Sequence, residues 1–521
     1  MTARESAHRW LRERGISWAF GNPGSTEIPF LLGLEEVARY VLGLHEGVAV
    51  AMADGYAQAS GRVALVNLHA APGLGNAIGA LYTARKNRSP LLVTVGQQDR
   101  RHLFRDPLLS GPLVEMARPV TKAAFSVERG ADLPEALERA YHLAMTPPRG
   151  PVVVAIPMDL WEEEAPPPRL KVLLAPGPAQ GLEALAEALA QATHPALVLG
   201  GGTDTPLARQ AALRLAEALG APVFSDPISP RHPFPTQHPL YRGVLPPVAQ
   251  RIREVLEAFD AVLVAGAPCF LLYPYSPGPA VPAGTQLFLL TDDPEEAARA
   301  EAQEVYLGDV ALGLERLSRL VLPQARAVPQ GTPTPLPAPY SPSGRLNPPY
   351  AAARLAQALS LRFVVDEAIS LSGAFRRHLR QEGGGYLHGA SGGLGFAAAA
   401  AVGAALAGQR AAAVVGEGSF LFTPQVLYTA REFKADVLFV VLNNGGYGIL
   451  KGFAQSLYSG QAERVPGLAL SGVDFCQLAQ AFGVPAARVE DPESLEATLA
   501  TLPAGPFLLE VVVDPTPHPA F

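Results

Sequence analysis

Ala411-Ala412-Ala413-Val414-Val415 runs directly into Gly416-Glu417-Gly418-Ser419, and Val437-Leu438-Phe439-Val440-Val441-Leu442 runs into Asn443-Asn444-Gly445-Gly446-Tyr447-Gly448. Each stretch is an apolar run of strand length followed by a glycine-rich turn that carries an oxygen ligand. In open α/β sheets, ligands bind beyond the carboxyl ends of the strands. Two such turns at neighbouring strand ends can hold a divalent cation on a diphosphate. Mg2+ takes oxygen ligands in octahedral geometry, commonly a carboxylate plus phosphates. Here Glu417 offers a carboxylate, Asn444 a side-chain carbonyl and Gly446 a backbone carbonyl. Ser419 and the Gly418 amide can meet phosphate oxygens where a helix begins. Either turn alone also reads as an ordinary glycine turn; the pairing carries the cofactor reading.

Outward from this stretch, the 521 residues fall into three α/β blocks. Residues 1–165 alternate apolar runs (Ile16–Phe20, Val63–Leu68, Leu91–Val95, Val152–Ile156) with helix-like segments such as Gly47–Gln58. Residues 175–325 repeat the pattern, with runs at Ala196–Leu199, Val223–Phe224, Ala261–Ala265 and Gln286–Leu290. Residues 326–348, rich in Pro, Ser, Thr and Gly, read as a linker. Residues 349–521 hold the two opening runs plus Arg362–Val365 and Phe507–Val513. Such alternation predicts three doubly wound parallel-sheet domains. Gly200-Gly201-Gly202 lacks the full dinucleotide fingerprint, which favours a structural middle domain.

Composition narrows the class. The chain is 48% hydrophobic and 17% charged, enough to build cores. A net charge of −7 carries no basic footprint for nucleic acid. Two cysteines, Cys269 and Cys476, make a disulfide framework an unsuitable reading. With no signal-peptide pattern at the N-terminus and no apolar run of spanning length, a cytoplasmic protein off the membrane is expected.

Three polar residues of the first block follow apolar runs. Ser25 lies in Phe20-Gly21-Asn22-Pro23-Gly24-Ser25, Glu46 in Leu44-His45-Glu46-Gly47, and His69 in Asn67-Leu68-His69-Ala70. A lone strand-end Glu is commonly a helix cap and a lone His structural. Three at successive strand ends point to a site.

Gly416-Glu417-Gly418-Ser419 with Asn443-Asn444 resembles the thiamine-diphosphate motif of the pyruvate decarboxylase and acetolactate synthase superfamily. The resemblance covers essentially the whole chain, in the order pyrimidine-binding, middle and diphosphate-binding domain. Within the superfamily the chain looks most like the benzoylformate decarboxylase branch. That likeness rests on Phe20–Ser25, Ala53-Asp54-Gly55-Tyr56-Ala57-Gln58, Arg231-His232-Pro233-Phe234-Pro235-Thr236, Gly392-Gly393-Leu394-Gly395-Phe396 and Asn443–Gly448. It implies a 2-oxo acid substrate, thiamine diphosphate and Mg2+ as cofactors, and non-oxidative decarboxylation with carboligation as a side activity. Glu46 would bond the cofactor's aminopyrimidine N1′, and Leu394 would wedge the cofactor into its bent form. Gly24, Ser370, Gly418, Ser419, Tyr447 and Gly448 would complete the cofactor site. Glu417, Asn444 and Gly446 would hold the metal. Ser25 would orient the substrate carboxylate, and His69 would move protons. Leu108, Leu109, Tyr273, Ile369, Ile449, Leu450 and Phe453 would shape an apolar substrate pocket.

Three departures stand out. The metal turn of the family usually carries Asp where this chain has Glu417, so the reach lengthens by about 1.5 Å. Tyr273 stands where the branch has a second active-site histidine, and tyrosine is a poor proton shuttle near pH 7. His388 stands at an apolar pocket position, so His388 is expected to stand in partly for the missing histidine. The alternatives are an acetolactate-synthase-like carboligase, whose usual FAD is not favoured here, and a catalytically weakened cofactor-binding paralogue. Because the family's site lies between subunits, a homodimer is the expected minimum and a homotetramer the expected assembly.

Overall fold

The structure, a computed structural model, describes residues 1–173, 177–324, 326, 334–458, 464–470 and 472–516. Three six-stranded parallel sheets form the frame. The first holds β1 (Trp18–Gly21), β2 (Arg39–Leu42), β3 (Ala64–Leu68), β4 (Leu91–Gln97), β5 (Ala123–Ser126) and β6 (Val152–Pro157), in the order 2-1-3-4-6-5. The second holds β7 (Pro195–Leu199), β8 (Val223–Ser225), β9 (Tyr241–Val244), β10 (Ala261–Ala265), β11 (Gln286–Thr291) and β12 (Glu304–Leu307), in the order 12-11-10-7-8-9. The third holds β13 (Phe363–Glu367), β14 (Tyr386–His388), β15 (Ala411–Gly416), β16 (Val437–Asn443), β17 (Ala486–Val489) and β18 (Phe507–Val512), in the order 14-13-15-16-18-17. The outer sheets therefore share one topology, and the middle sheet has the dinucleotide-fold order.

All twelve apolar runs named from the sequence are strands. The other six strands are β2, β5, β9, β12, β14 and β17, and each lies at a sheet edge. The inner strand β3 is buried along its whole length, whereas β9 has no fully buried residue and β5 ends exposed. Inner strands of a parallel sheet are covered on both faces and read as apolar runs. Edge strands lack that signature. The expected linker, 326–348, lies partly outside the described residues. Its described end pairs Tyr340 with Leu346 in an isolated bridge, and Pro348 already opens the helix Pro348–Ala358.

The glycine triplet after β7 has a packing reason. A Cβ on Gly200 would lie 2.3 Å from the Ala267 side chain, and one on Gly202 would lie 2.9 Å from Gly266. The triplet lets the loops after β7 and β10 touch.

One apolar core joins the first and third sheets. Its centre is the crossing of helix Glu46–Ser60 with helix Ala397–Leu406, both built almost wholly of small buried residues. A Cβ on Gly55 would sit 2.0 Å from the Ala400 carbonyl oxygen, and one on Gly403 would sit 1.8 Å from that of Met52. No alanine fits without pushing the helices apart. We therefore expect Gly403→Ala to cost about 1–3 kcal/mol or more through overpacking, seen in calorimetry as a lowered unfolding temperature. A wild-type melting curve would contradict this crossing.

Candidate active site

In both outer sheets the strand order reverses at the same topological position, between β1 and β3 in the first and between β13 and β15 in the third. Ligands of open α/β sheets bind there. In the first sheet the crevice lies beyond β1 and β3. The turn Asn22–Thr26 leaves β1, Glu46 follows β2, and His69 follows β3 as the residue before helix Ala70–Lys86.

Of the three sequence-named residues, Glu46 and His69 come together, with differing exposure. Glu46 is buried at 6% exposure. Its Oε2 accepts from Asn76 Nδ2 at 3.0 Å and its Oε1 from Asn22 Nδ2 at 3.3 Å. A Cβ on Gly73 would meet Glu46 Oε1 at 3.2 Å and His69 Cβ at 3.3 Å, so the two side chains flank one glycine. Gly24 has no room for a side chain either: a Cβ there would lie 2.1 Å from His69 Nδ1. Ser25, beside it, is exposed. Leu108 is 85% exposed, whereas Leu109 hands its carbonyl to the Ala71 amide at 3.3 Å. Ala70 and Leu109 both have positive φ, 45° and 72°, and so does Ile369 at 47°. Such backbone is costly for residues with side chains and gathers at functional sites.

The third sheet forms the other half, beyond β13, β15 and β16. Glu417 is 3% exposed, and its Oε1 accepts the Gly446 N–H at 2.5 Å. The longer side chain thus spans from one glycine turn to the backbone of the other. Burial pushes its carboxyl pKa up, opposed by the amides of Gly446 and Asn444. Asn444 Oδ1 is buried and has no hydrogen-bond partner among the described residues. An orphaned carbonyl oxygen beside a buried carboxylate is the donor set a hard divalent cation takes. The residues present therefore fit the group. The Gly446 carbonyl also accepts from the Gly448 amide at 2.9 Å. Tyr447 lies across Gly418, where a Cβ would come within 2.5 Å of its ring, and Ser419 is buried. Ser370, Asn444 and Gly448 line a small cavity closed by Asp514–Thr516.

Leu394 is half-buried in the loop before helix Ala397–Leu406. Glu367 fixes that loop, accepting from the Gly395 and Ala397 amides at 2.7 and 2.8 Å. Burial pushes the Glu367 carboxyl up to about 7.

His388 and Tyr273 are not brought together by any contact among the described residues. His388 ends the edge strand β14, with Nδ1 on the Asp366 carbonyl at 2.8 Å and its amide on the Pro230 carbonyl. Burial pushes its imidazole pKa down. Tyr273 instead faces Phe453, with ring centroids 5.6 Å apart. Phe453 shares the helix Gly448–Leu457 with Ile449 and Leu450.

Several neighbours escaped the sequence reading. Asn22 and Asn76 orient Glu46, and Thr26 and Glu27 hold His69. Lys451 Nζ reaches the Gly445 carbonyl at 3.4 Å, and the Leu468 carbonyl takes the Tyr447 amide at 2.9 Å. Glu27 lay two residues past the quoted turn. Leu468 had no local signal at all, because its contact comes from chain return.

Three profiles of the thiamine pyrophosphate enzymes match the chain. The N-terminal binding domain matches residues 1–109, the central domain 182–317 and the C-terminal binding domain 370–511. A benzoylformate decarboxylase of Pseudomonas aeruginosa is 39% identical over 98% of both chains. The structure of a thiamine diphosphate-dependent 4-hydroxybenzoylformate decarboxylase from Rhodococcus jostii superposes with a TM-score of 0.93 at 38% identity, covering 99% of this chain and 100% of its own. An acetolactate synthase isozyme 3 large subunit of Escherichia coli is 26% identical, covering 96% of this chain and 92% of its own. With its three domains matched in order and its sheets laid out as in these relatives, the chain belongs to the thiamine pyrophosphate enzyme family.

Proposed function

We propose that this protein decarboxylates an aromatic 2-oxo acid of the benzoylformate class without net oxidation, using thiamine diphosphate held through Mg2+. The carrying observation is the pairing of Glu46 and His69 across Gly73, a buried carboxylate and an imidazole at one sheet crevice. Full-length likeness to aryl 2-oxo acid decarboxylases supports the substrate class.

Bound thiamine diphosphate supplies a carbon nucleophile and an electron sink for loss of CO2. Glu417, Asn444 and Gly446 hold the metal, and Gly418, Ser419, Ser370, Tyr447 and Gly448 hold the diphosphate end. Glu46, Gly24 and Leu394 hold the pyrimidine end. Asn22 and Asn76 keep the Glu46 carboxylate aimed and leave it to accept from a ligand nitrogen. Ser25 orients the substrate carboxylate. His69 gives and takes protons at its ring nitrogen as the aldehyde is released. His388, a neutral imidazole by its burial, offers a second polar contact in place of the proton shuttle that Tyr273 cannot supply. Phe453, Tyr273, Leu108, Leu109, Ile369, Ile449 and Leu450 form the apolar wall.

The active assembly in this reading is a homodimer at minimum, with a homotetramer as the full form. Phe104, Leu108, Phe422 and Leu450, on segments next to the two half-sites, are exposed. Exposed apolar side chains of this kind mark interfaces. Among the described residues no helix is long and apolar enough to cross a membrane, and a cytoplasmic location fits the reading.

A panel of benzoylformate, pyruvate and branched 2-oxo acids, with thiamine diphosphate and Mg2+ added, tests the proposal. Fastest CO2 release from benzoylformate, with benzaldehyde as product, is expected. Acetolactate from pyruvate would move the protein to the synthase reading, and no release from any acid would overturn the proposal.

A further inference from the structure

Glu27 is 1% exposed, and among the described residues its one ionic partner is an imidazole, not an arginine or lysine. His69 Nδ1 lies 2.8 Å from Glu27 Oε2. The same oxygen accepts the Gly24 amide at 3.0 Å, and Oε1 accepts the Thr26 hydroxyl at 2.6 Å. Thr26 Oγ1, its proton committed to Glu27, lies 3.2 Å from the same His69 nitrogen. The packing leaves no slack on either side. A Cβ on Gly96 would lie 1.9 Å from Glu27 Oε1, just as one on Gly24 would strike the imidazole.

An ionised carboxylate only accepts hydrogen bonds. Both atoms facing His69 Nδ1 are therefore acceptors, and that nitrogen must carry the proton. The remaining nitrogen, Nε2, is then the basic one. We infer that Glu27 is a positioning residue for His69, fixing its ring orientation and its Nδ1–H tautomer so that Nε2 is the nitrogen that exchanges protons with substrate. A carboxylate that orients a proton-transferring histidine acts by the same logic in hydrolytic triads, where losing the tautomer is severe. A buried glutamate kept only for stability would need no imidazole and no particular tautomer. This inference rests on the proposed role of His69, but the tautomer itself does not.

The test uses the full-length protein labelled with 15N-histidine. Long-range 1H–15N correlation reads the tautomer, and His69→Ala identifies the His69 signals among the 11 histidines. Wild type is expected to show protonated Nδ1 and bare Nε2. Glu27→Leu removes the acceptor and is expected to shift His69 toward the Nε2–H form, with kcat on benzoylformate falling at least tenfold and KM within threefold. Glu27→Gln keeps an acceptor oxygen and the shape, so it should keep the tautomer and retain more activity than Glu27→Leu. If Glu27→Leu does not fold, Glu27→Gln decides: protonated Nδ1 with turnover retained is expected, and a His69 shifted to the Nε2–H form while turnover stays at the wild-type level overturns the inference. His69 staying Nδ1–H in folded Glu27→Leu overturns it as well. A wild-type protein with the expected tautomer but no decarboxylase activity would sink the proposed function and leave the Glu27–His69 geometry standing.

Discussion

Replacing Glu46 with glutamine is expected to lower kcat/KM for decarboxylation by about 10²–10⁴-fold, the range that a positioned proton-transfer group contributes. The substitution keeps the volume and one acceptor oxygen. It removes the negative charge that the proposed contact to a ligand nitrogen needs. The local cost is small and calculable in kind. One oxygen accepts from Asn22 and the other from Asn76, so a glutamine amide must face one of these donors. One lost hydrogen bond is worth about 1 kcal/mol, too little to unfold a helix buried along most of its length. The expected result is therefore a folded protein, with a melting temperature near wild type, that binds thiamine diphosphate in calorimetric titration but turns over slowly. Wild-type turnover would remove Glu46 from the catalytic reading. Lost binding with lost activity would instead make Glu46 a cofactor anchor only.

How much of this was legible in the chain depends on where each residue sits. Inner strands such as β3 and β16 are covered on both faces, so Val63–Leu68 and Val437–Leu442 announce themselves as apolar runs. Edge strands such as β9, with every residue half-exposed, carry no such run. The residues at strand ends were legible for a related reason. A glycine turn after an apolar run is visible locally, and Glu417 and Asn444 stand at such turns. The supports of Glu46 and His69 were not legible, because Asn76 reaches Glu46 across 30 positions and Glu27 reaches His69 across 42. The helix crossing was not legible, because nothing in the run Ala397–Ala401 says that Gly403 meets the backbone at Met52. The shared order of the two outer sheets was also hidden, since topology repeats here without a repeated sequence.

The second large effect is expected at Glu417. Glu417→Ala deletes the proposed carboxylate ligand and the acceptor of the Gly446 N–H together. Loss of a group merely supporting a metal ligand costs about 10–100-fold in affinity, so losing the ligand itself should weaken Mg2+-dependent cofactor binding by at least that much. Titration of the apo protein with thiamine diphosphate, at fixed Mg2+, reads this directly without turnover. Glu417→Asp discriminates further. The shorter side chain is the usual ligand that the sequence resemblance implies, but the two turns in this protein are spaced so that glutamate reaches Gly446. If the spacing is matched to glutamate, aspartate loses the Gly446 contact and binds the cofactor more weakly than wild type. Equal or tighter binding would show that the turns close to follow the ligand. The pH dependence gives an independent sign. Burial raises the Glu417 pKa, and Mg2+ must displace any proton held there. As pH falls, metal-dependent binding should therefore fade earlier than it would with an ordinary exposed glutamate, and in Glu417→Ala that low-pH limb should vanish. A limb that persists in the alanine variant would assign it to another group and would remove Glu417 from the metal site.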